Sequence, residues 1–245
     1  MRRFYIEDLT EDSHRVEVRG EEFLHMSKVL RLREGAVVTL FNGAGLELTG
    51  RLDVMRKDHA EVLVGALMWR QRESALRTAL IVGLVKGEKS EFIIQKATEL
   101  GVTELTFYAA DRSVPTDDVD RAASRLARWR RVAIEAAKQC GRTVLPRIVL
   151  APDMASAIKG IDKMQRLMLW ESEKKKRLKD VLKDPAGAEG VAMLIGPEGG
   201  FTEQEVEAAR HAGFVSVSLG PRTLRAETAA ITILAIIQQA HGDMK

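Results

Sequence analysis

Two glycine-rich loops near the C-terminal end of the chain hold the residues best suited to chemistry. The first is Ile195-Gly196-Pro197-Glu198-Gly199-Gly200-Phe201-Thr202, and the second runs from Leu219-Gly220-Pro221-Arg222 to Leu224-Arg225-Ala226-Glu227-Thr228. Glycine permits positive φ and lets a backbone approach a ligand closely. Carboxylates and guanidinium groups beside such glycines can recognise polar ligand groups or stabilise charge. The pattern therefore predicts a small-molecule site.

The elements around the two loops are expected to bring them together. Each loop follows a short apolar run, at 191–195 and 215–219, and each leads into a predicted helix. Ligands of open α/β sheets bind outside the carboxyl ends of the strands, so both loops should face one crevice. Thr202 and Glu205 have capping-box spacing and predict a helix start directly after the first loop. The helix after Glu227 is apolar almost all round, which predicts burial in the domain or in a subunit interface.

Composition limits the class of protein. The chain has 245 residues, 45% of them hydrophobic, and a net charge of +3, which predicts a folded protein of two domains. Its single cysteine, Cys140, excludes an internal disulfide and suits a reducing compartment. No secretion signal and no apolar run long enough to cross a membrane are present. We expect a cytoplasmic protein without a metal, because the five histidines do not have ligand spacing.

Periodicity divides the chain near residue 72. Strand-like runs at 15–18, 36–41, 47–52 and 60–64, with helical spacing over 21–31, predict a small β-barrel with one helix. Beyond residue 72, apolar strands alternate with helices, which predicts a mostly parallel sheet covered on both faces. One of these helices is expected to be capped by Ser90 and to end before Gly101, and a longer one should cover about 118–139.

Two of these motifs have simpler interpretations. Gly83-Leu84-Val85-Lys86-Gly87-Glu88-Lys89-Ser90 resembles a phosphate-binding loop, but Glu88 interrupts the required Gly-Lys step, so a nucleotidase is disfavoured. Lys86 and Lys89 are still expected at the edge of the crevice. An ion pair between Arg225 and Glu227 that only caps the last helix is the alternative to a chemical role for these two residues.

Basic residues cluster in both predicted domains. The first group contains Arg2, Arg3, Lys28, Arg31 and Arg33, and the second contains Arg121, Arg125, Arg128, Arg130, Arg131, Lys138 and Arg142. Two such groups on a chain with few aromatic residues favour contact with a phosphate backbone over base stacking. The basic segment 173–179 is interpreted as a solvated loop or helix start.

Together these motifs resemble the 16S ribosomal RNA uridine N3-methyltransferases, a family of the SPOUT class. The resemblance covers nearly the whole chain and rests on the two glycine-rich loops and on the following segments: His25-Met26-Ser27-Lys28-Val29-Leu30-Arg31, Lys86-Gly87, Ile94-Gln95-Lys96-Ala97-Thr98-Glu99-Leu100-Gly101, Arg112-Ser113 and Glu135-Ala136-Ala137-Lys138-Gln139-Cys140-Gly141-Arg142. It implies a PUA-like β-barrel over residues 1–72 that binds RNA. It also implies a SPOUT α/β domain over residues 73–245 with a deep C-terminal trefoil knot.

The resemblance also implies an activity. The family transfers a methyl group from S-adenosylmethionine (SAM) to N3 of a uridine near the decoding site of the small ribosomal subunit, and it works as a homodimer. The expected partners are therefore 16S rRNA or the 30S subunit. Other possibilities are a SPOUT enzyme acting on tRNA or on ribose 2′-hydroxyls, and a non-catalytic RNA-binding or assembly factor.

The resemblance, the chemistry of the reaction and the basic groups together give the expected site residues. Arg225 is the expected catalytic residue, and Glu227 is expected to orient it or to accept the proton of N3. The expected cofactor-binding residues are Trp170, Glu171, Ile195, Gly196, Pro197, Glu198, Gly199, Gly200, Leu219, Gly220, Leu224, Arg225, Thr228 and Ala229. The expected RNA-binding residues are Arg3, Lys28, Arg31, Lys86, Arg112, Lys138 and Arg142. We expect Gly199→Val to block SAM by filling the space that the backbone leaves for it.

Overall fold

The chain forms two compact units. The computed structural model describes residues 2–68, 72–113, 119–161, 163–182 and 189–244. The first unit consists of Met1–Glu73 together with Ile134–Leu145, and the second consists of Ser74–Ala133 together with Pro146–Lys245. The predicted division at residue 72 did not include the segment 134–145 in the first unit.

The first unit is built on a five-stranded mixed sheet. Its strands are β1 (Arg3–Tyr5), β2 (Arg15–Val18), β3 (Val37–Phe41), β4 (Glu47–Met55) and β5 (Ala60–Leu67), in the order β1-β3-β4-β5-β2. The β1–β3 pair is parallel and the other pairs are antiparallel. The predicted strands are confirmed, and β1 was not predicted. In the described residues the strand order leaves β1 and β2 as edges, so the sheet is a half-barrel and not a closed barrel.

One helical segment lies between β2 and β3, as predicted. It begins as helix α1 (Gly20–Leu24) and continues as a π-helical turn (His25–Val29). Phe23 and Met26 face inward from it and join a core that includes Phe4, Leu40 and Leu52. The apolar side of this segment therefore covers the inner face of the half-barrel.

The second unit is built on a six-stranded parallel sheet, which confirms the predicted α/β architecture. Its strands are β6 (Arg77–Gly83), β7 (Glu104–Tyr108), β8 (Arg147–Ala151), β9 (Gln165–Leu169), β10 (Gly190–Ile195) and β11 (Val215–Val217), in the order β11-β9-β10-β6-β7-β8. Successive side chains of a strand point to opposite faces. In β6, Leu80 and Val82 join one buried cluster, whereas Ala79 and Ile81 join another. The sheet is thus covered on both faces.

The remaining helices cover these faces and lead away from the strand ends. They are α2 (Lys89–Glu99), α3 (Val119–Cys140), α4 (Met154–Ala157), α5 (Leu178–Val181), α6 (Glu203–His211) and α7 (Ala226–His241). The capping box predicted for α6 is present, with Thr202 accepting from the Glu205 amide and Glu205 accepting from the Thr202 amide. Within the described residues, no helix combines the length and the apolar character needed to span a membrane.

Two predicted helix starts were wrong. Ser90 does not cap α2: the helix begins at Lys89, and Ser90 is a buried residue inside its first turn. The second glycine-rich loop ends earlier than predicted, because Arg225 is the N-cap of α7. Glu227 and Thr228 therefore lie in the first helical turn, where their positions are fixed by the helix.

Candidate active site

Three neighbouring strands of the parallel sheet end at the same edge, and the loops that follow them enclose a pocket. β11, β9 and β10 are adjacent and end at Val217, Leu169 and Ile195. The pocket has a volume of about 480 Å³, which lies within the range of small-molecule sites. It is lined by Lys89, Leu169, Trp170, Glu171, Ile195, Gly196, Pro197, Glu198, Gly199, Gly200, Val217, Ser218, Leu219, Gly220, Pro221, Arg222, Thr223, Leu224, Arg225, Ala226 and Ala229.

The structure therefore brings both glycine-rich loops to one pocket, as the strand pattern predicted. Every residue expected to bind a cofactor lies on its wall, with the exception of Thr228. Thr228 is on the exposed side of the first turn of α7. The helix geometry explains this exception, because Thr228 points away from the side of α7 that carries Ala226 and Ala229.

Two glycines of the first loop are required by its close packing against Arg112 and Glu171. A Cβ atom at Gly199 would lie 2.8 Å from the Cβ atom of Arg112 and 3.1 Å from its carbonyl oxygen. Gly200 has a φ of +70°, and a Cβ atom there would lie 2.6 Å from Glu171 Oε1. Our expectation for Gly199→Val needs correction, because the added side chain would meet Arg112 and displace the loop whether or not a ligand is bound.

Lys89 connects two carboxylates at this pocket. Its Nζ donates a hydrogen bond to Glu198 Oε1 at 2.7 Å and lies 3.7 Å from Glu227 Oε1. The sequence placed Lys89 at the edge of the crevice, but nothing in the local pattern indicated these two partners. The cluster joins the start of α2, the first glycine-rich loop and the start of α7.

The cluster keeps its charges through mutual contacts. The hydrogen bond to Glu198 raises the pKa of Lys89, and the nearby Arg225 opposes this effect. Partial burial raises the pKa of Glu198, but hydrogen bonds from Lys89 and from the Lys86 amide outweigh it, so this pKa lies below its ordinary value. At neutral pH the pocket therefore presents an ammonium group and a carboxylate that hold each other in place.

The loop between β6 and α2 does not have the geometry of a phosphate-binding loop. The Lys86 amide donates to both carboxylate oxygens of Glu198, at 3.3 Å each. A carboxylate thus occupies the position at which such a loop would receive phosphate. Gly83 serves packing, since a Cβ atom there would lie 2.7 Å from the Pro197 nitrogen.

The start of α7 places an arginine and a glutamate at the pocket in different environments. The Arg225 side chain is exposed, lines the pocket and makes no capping hydrogen bond. Glu227 is largely buried, and its Oε2 atom has no hydrogen-bond partner among the described residues. Among the described residues, Arg225 and Glu227 form no ion pair with each other. They therefore do not act as a simple helix cap.

Comparison with known proteins identifies the family. The family described as RNA methyltransferase domain matches residues 72–238, and the one described as RNA methyltransferase PUA domain matches residues 18–65. The chain is 31% identical over 245 residues to ribosomal RNA small subunit methyltransferase E of Bacillus subtilis, covering 97% of this chain and 96% of that protein. This chain belongs to the ribosomal RNA small subunit methyltransferase E family.

Solved structures of methyltransferases agree with this assignment. A ribosomal RNA small subunit methyltransferase E from Neisseria gonorrhoeae, bound to SAM, has a TM-score of 0.91 and 34% identity, with all of both chains covered. A methyltransferase from Legionella pneumophila in complex with SAM has a TM-score of 0.90 and 33% identity, covering 99% of this chain and 98% of that one. The fold of this methyltransferase is therefore shared with proteins that bind SAM.

Four of the seven cations expected to bind RNA are exposed in this methyltransferase. Lys28 and Arg31 follow α1 in the first unit, and Lys86 and Arg112 follow β6 and β7 in the second unit. The Arg112 guanidinium also donates to the carbonyl oxygens of Gly199 at 3.2 Å and Phe201 at 3.4 Å. Arg112 therefore supports the first glycine-rich loop while its side chain remains at the surface.

The other three cations are interior groups of the first unit, which corrects the prediction that they contact RNA. Arg3 is 3% exposed and Arg142 is 4% exposed. Arg3 pairs with Glu47, Arg142 donates to Glu73, and Lys138 pairs with Glu22 at 3.0 Å and with Glu135 at 2.8 Å. These charges are satisfied within the unit and leave no free cation for a phosphate.

The described residues contain no group of three His, Cys, Asp or Glu side chains that could hold a metal ion. Cys140 is a half-exposed residue at the end of α3, with its thiol directed at the Ala137 carbonyl oxygen. The pocket itself is lined by polar and charged groups together with apolar side chains.

Proposed function

We propose that this protein transfers a methyl group from SAM to N3 of a uridine in 16S rRNA of the small ribosomal subunit. The observation that carries the proposal is the pocket at the carboxyl ends of β9, β10 and β11, with Arg225 on its wall and Glu227 beside it. Membership of the family and the SAM-bound structures of its relatives support this assignment.

The residues of the pocket fit SAM. Leu169, Ile195 and Leu219 give the wall apolar surface suited to a nucleobase, and the carboxylates of Glu171 and Glu198 suit hydroxyl, amino or cationic groups. The unpaired Oε2 atom of Glu227 is a buried acceptor, and such atoms in native proteins are nearly always satisfied by a partner. Thr228 is exposed away from the wall, and the remaining thirteen residues of the predicted cofactor set are the proposed cofactor contacts.

The chemical problem is the acceptor nitrogen. N3 of uracil carries a proton at neutral pH, and it must lose that proton as the new N–CH₃ bond forms. SAM, when bound, supplies the methyl group from a cationic sulfonium. The exposed guanidinium of Arg225 is placed to stabilise negative charge that develops on the uracil oxygens.

Glu227 is the proposed proton acceptor. Its Oε2 atom is free to accept, while its Oε1 atom is 3.7 Å from Lys89 Nζ. Since Arg225 forms no described ion pair with Glu227, the two residues serve the reaction separately. Lys89 holds the carboxylate in position through the cluster with Glu198.

RNA binding is assigned to both domains. Residues 1–72, with the segment 134–145 of the same unit, form the RNA-binding PUA-like domain, and the rest of residues 73–245 form the catalytic domain. Lys28, Arg31, Lys86 and Arg112 are the proposed phosphate contacts, because all four are exposed. Binding through them should weaken as salt is raised.

Further properties are proposed from the family resemblance. The target uridine lies near the decoding site, the C-terminal part of the catalytic domain forms a trefoil knot, and the enzyme acts in the cytoplasm as a homodimer. Phe92 on α2 is 46% exposed, and Ile231 and Ile236 on α7 are only partly buried. These side chains give the dimer an apolar surface to cover.

Methyl transfer from labelled SAM to 30S subunits and to naked 16S rRNA, followed by nucleoside analysis, tests the reaction. We expect N3-methyluridine. A different methylated nucleoside, or incorporation only into tRNA, would assign the chain to another RNA target. SAM binding without any transfer would indicate a binding-only role.

The role of Arg225 is tested separately. Arg225→Ala should lower kcat by about 10²–10³-fold, as loss of one charge-stabilising donor does in other enzymes. The free energy of unfolding should change little, because the side chain makes no capping bond. The fall in kcat is measured at saturating SAM, since Arg225 is also a proposed cofactor contact. Arg77→Ala, at the opposite end of the sheet, is the matched control. Full turnover of Arg225→Ala would overturn the assignment.

A further inference from the structure

A loop with three consecutive lysines begins on the wall of the pocket and ends bonded to a residue of that wall. We call residues 171–177 the lysine loop. It leaves the wall at Trp170 and Glu171, and its other end is held against Ser218 of the wall, whose amide donates to the Lys176 carbonyl oxygen at 2.8 Å. Arg177 and Ser218 also form a parallel β-bridge. Lys174, Lys175 and Lys176 are therefore held beside the pocket mouth.

Glu173 fixes the conformation of this loop. Its carboxylate accepts hydrogen bonds from the Ser216 hydroxyl at 2.7 Å, from the Lys175 amide at 2.9 Å and from the Lys176 amide at 3.1 Å. Ser216 belongs to β11 and is 6% exposed. Glu173 thus anchors the lysine loop to the sheet. The lysine side chains take no part in these hydrogen bonds.

The three lysine side chains are exposed and form no ion pair with any residue that the structure describes. Arg177, next to them, pairs with Asp180 at 3.3 Å. Adjacent like charges repel, so an ordered loop that keeps three unpaired cations together matches a partner that carries regularly spaced negative charge. Arg222, which is exposed on the opposite loop of the wall, adds a further cation to the rim.

We propose that the lysine loop and Arg222 bind phosphates of the RNA strand next to the nucleotide that enters the pocket. This inference rests on the proposed function, because it assigns a surface to the same substrate. It adds a contact that the sequence did not predict, since a basic run in isolation is most often a solvated surface. The loop positions RNA and takes no part in the transfer of the methyl group.

The test replaces Lys174, Lys175 and Lys176 together by glutamine. Binding of naked 16S rRNA is titrated over a range of salt concentrations. The slope of log K against log salt should fall by about 2 to 3, because each lost phosphate contact removes about 0.7 to 0.9. The KM for RNA should rise at least about tenfold with kcat nearly unchanged at saturating RNA, and the Kd for SAM should stay the same. Replacing the same three lysines by arginine should retain the wild-type slope, because the charge is kept.

A matched control removes three cations at the amino ends of the strands, opposite the pocket: Arg77→Gln, Arg147→Gln and Lys163→Gln. Equal slopes for the two triple variants would overturn the proposal, since net charge alone would then explain the effect. A loss confined to 30S subunits, with naked rRNA unaffected, would also overturn it and indicate contact with a ribosomal protein. If the wild-type protein binds RNA but forms no N3-methyluridine, the proposed function fails while the slopes still decide this inference.

Discussion

Arg2 and Arg3 are neighbours in sequence and have opposite environments. Arg2 is exposed, whereas Arg3, the first residue of β1, is buried with its guanidinium carbon 4.2 Å from the centre of the Phe41 ring. Arg3 also donates to the carbonyl oxygens of Ala137 at 2.8 Å and Arg142 at 2.9 Å. Burial lowers its pKa and the Glu47 carboxylate opposes this shift. The partners decide the difference, because Arg3 lies in β1, where Glu47 and the segment 134–145 surround its guanidinium, whereas Arg2 precedes the strand.

Arg3→Ala should destabilise the protein strongly. It leaves the Glu47 carboxylate, which is 2% exposed, buried without its partner, and breaking such a pair costs about 3–5 kcal/mol. Arg2→Ala should change the free energy of unfolding by less than about 0.5 kcal/mol. Urea denaturation of the two variants measures the difference. Similar midpoints for both would show that the ion pair has no structural role.

At the scale of elements, helix starts and loop anchors differ in how far they follow from local sequence. The α6 capping box was predicted because Thr202 and Glu205 are three residues apart and bond to each other. The conformation of the lysine loop was not predicted, because Glu173 is anchored by Ser216, which belongs to β11. The same limit applies to Ser90, whose burial depends on the neighbours of α2 and not on its capping propensity.

The anchoring carboxylate predicts a pH-dependent loop. Hydrogen bonds from Ser216 and from the Lys175 amide lower the pKa of Glu173 from its ordinary value of 4.5 to about 2. A lowered carboxyl pKa contributes order that is fully present above about 4.5 and is lost as the pH falls through about 2. Glu173→Gln should therefore reduce amide protection of Lys175 and Lys176 at neutral pH.

Hydrogen exchange of these two amides, followed from pH 7 to pH 2, checks this expectation. The difference between wild type and Glu173→Gln should shrink between pH 4.5 and 2, as the wild-type carboxylate becomes protonated. Glu171→Gln, two residues away, is the control and should leave the protection unchanged. A difference that does not depend on pH would contradict the assigned role of the Glu173 charge.

At the scale of the whole molecule, the first unit is not continuous in sequence. It takes Ile134–Leu145 from a region that follows the first strands of the second unit. This segment supplies the carbonyl oxygens that Arg3 requires, and Lys138 within it pairs with Glu22. The sequence indicated a change of periodicity near residue 72, but contacts over such separations leave no local pattern.

A fragment of residues 1–73 should therefore be much less stable than the same unit in the full chain. Without the segment 134–145, the buried Arg3 loses two acceptors and Glu22 loses its ammonium partner. We expect no cooperative thermal transition, as measured by circular dichroism. Fusing residues 134–145 to the fragment through a flexible linker should restore a transition. A cooperative transition of the unlinked fragment would show that the first strands are sufficient.

The sequence by itself determined the strand and helix pattern of the second unit, the capping box of α6 and the glycine-rich loops that belong to one pocket. These features depend on local periodicity and on residue types at fixed spacing. Only the tertiary structure decided that Lys89 joins Glu198 and Glu227, that three predicted RNA contacts are interior ion pairs, and that three lysines stand at the pocket mouth. The physical reason is that a charge acquires its role from the burial and the partners that distant segments provide, and neither is encoded in the residues beside it.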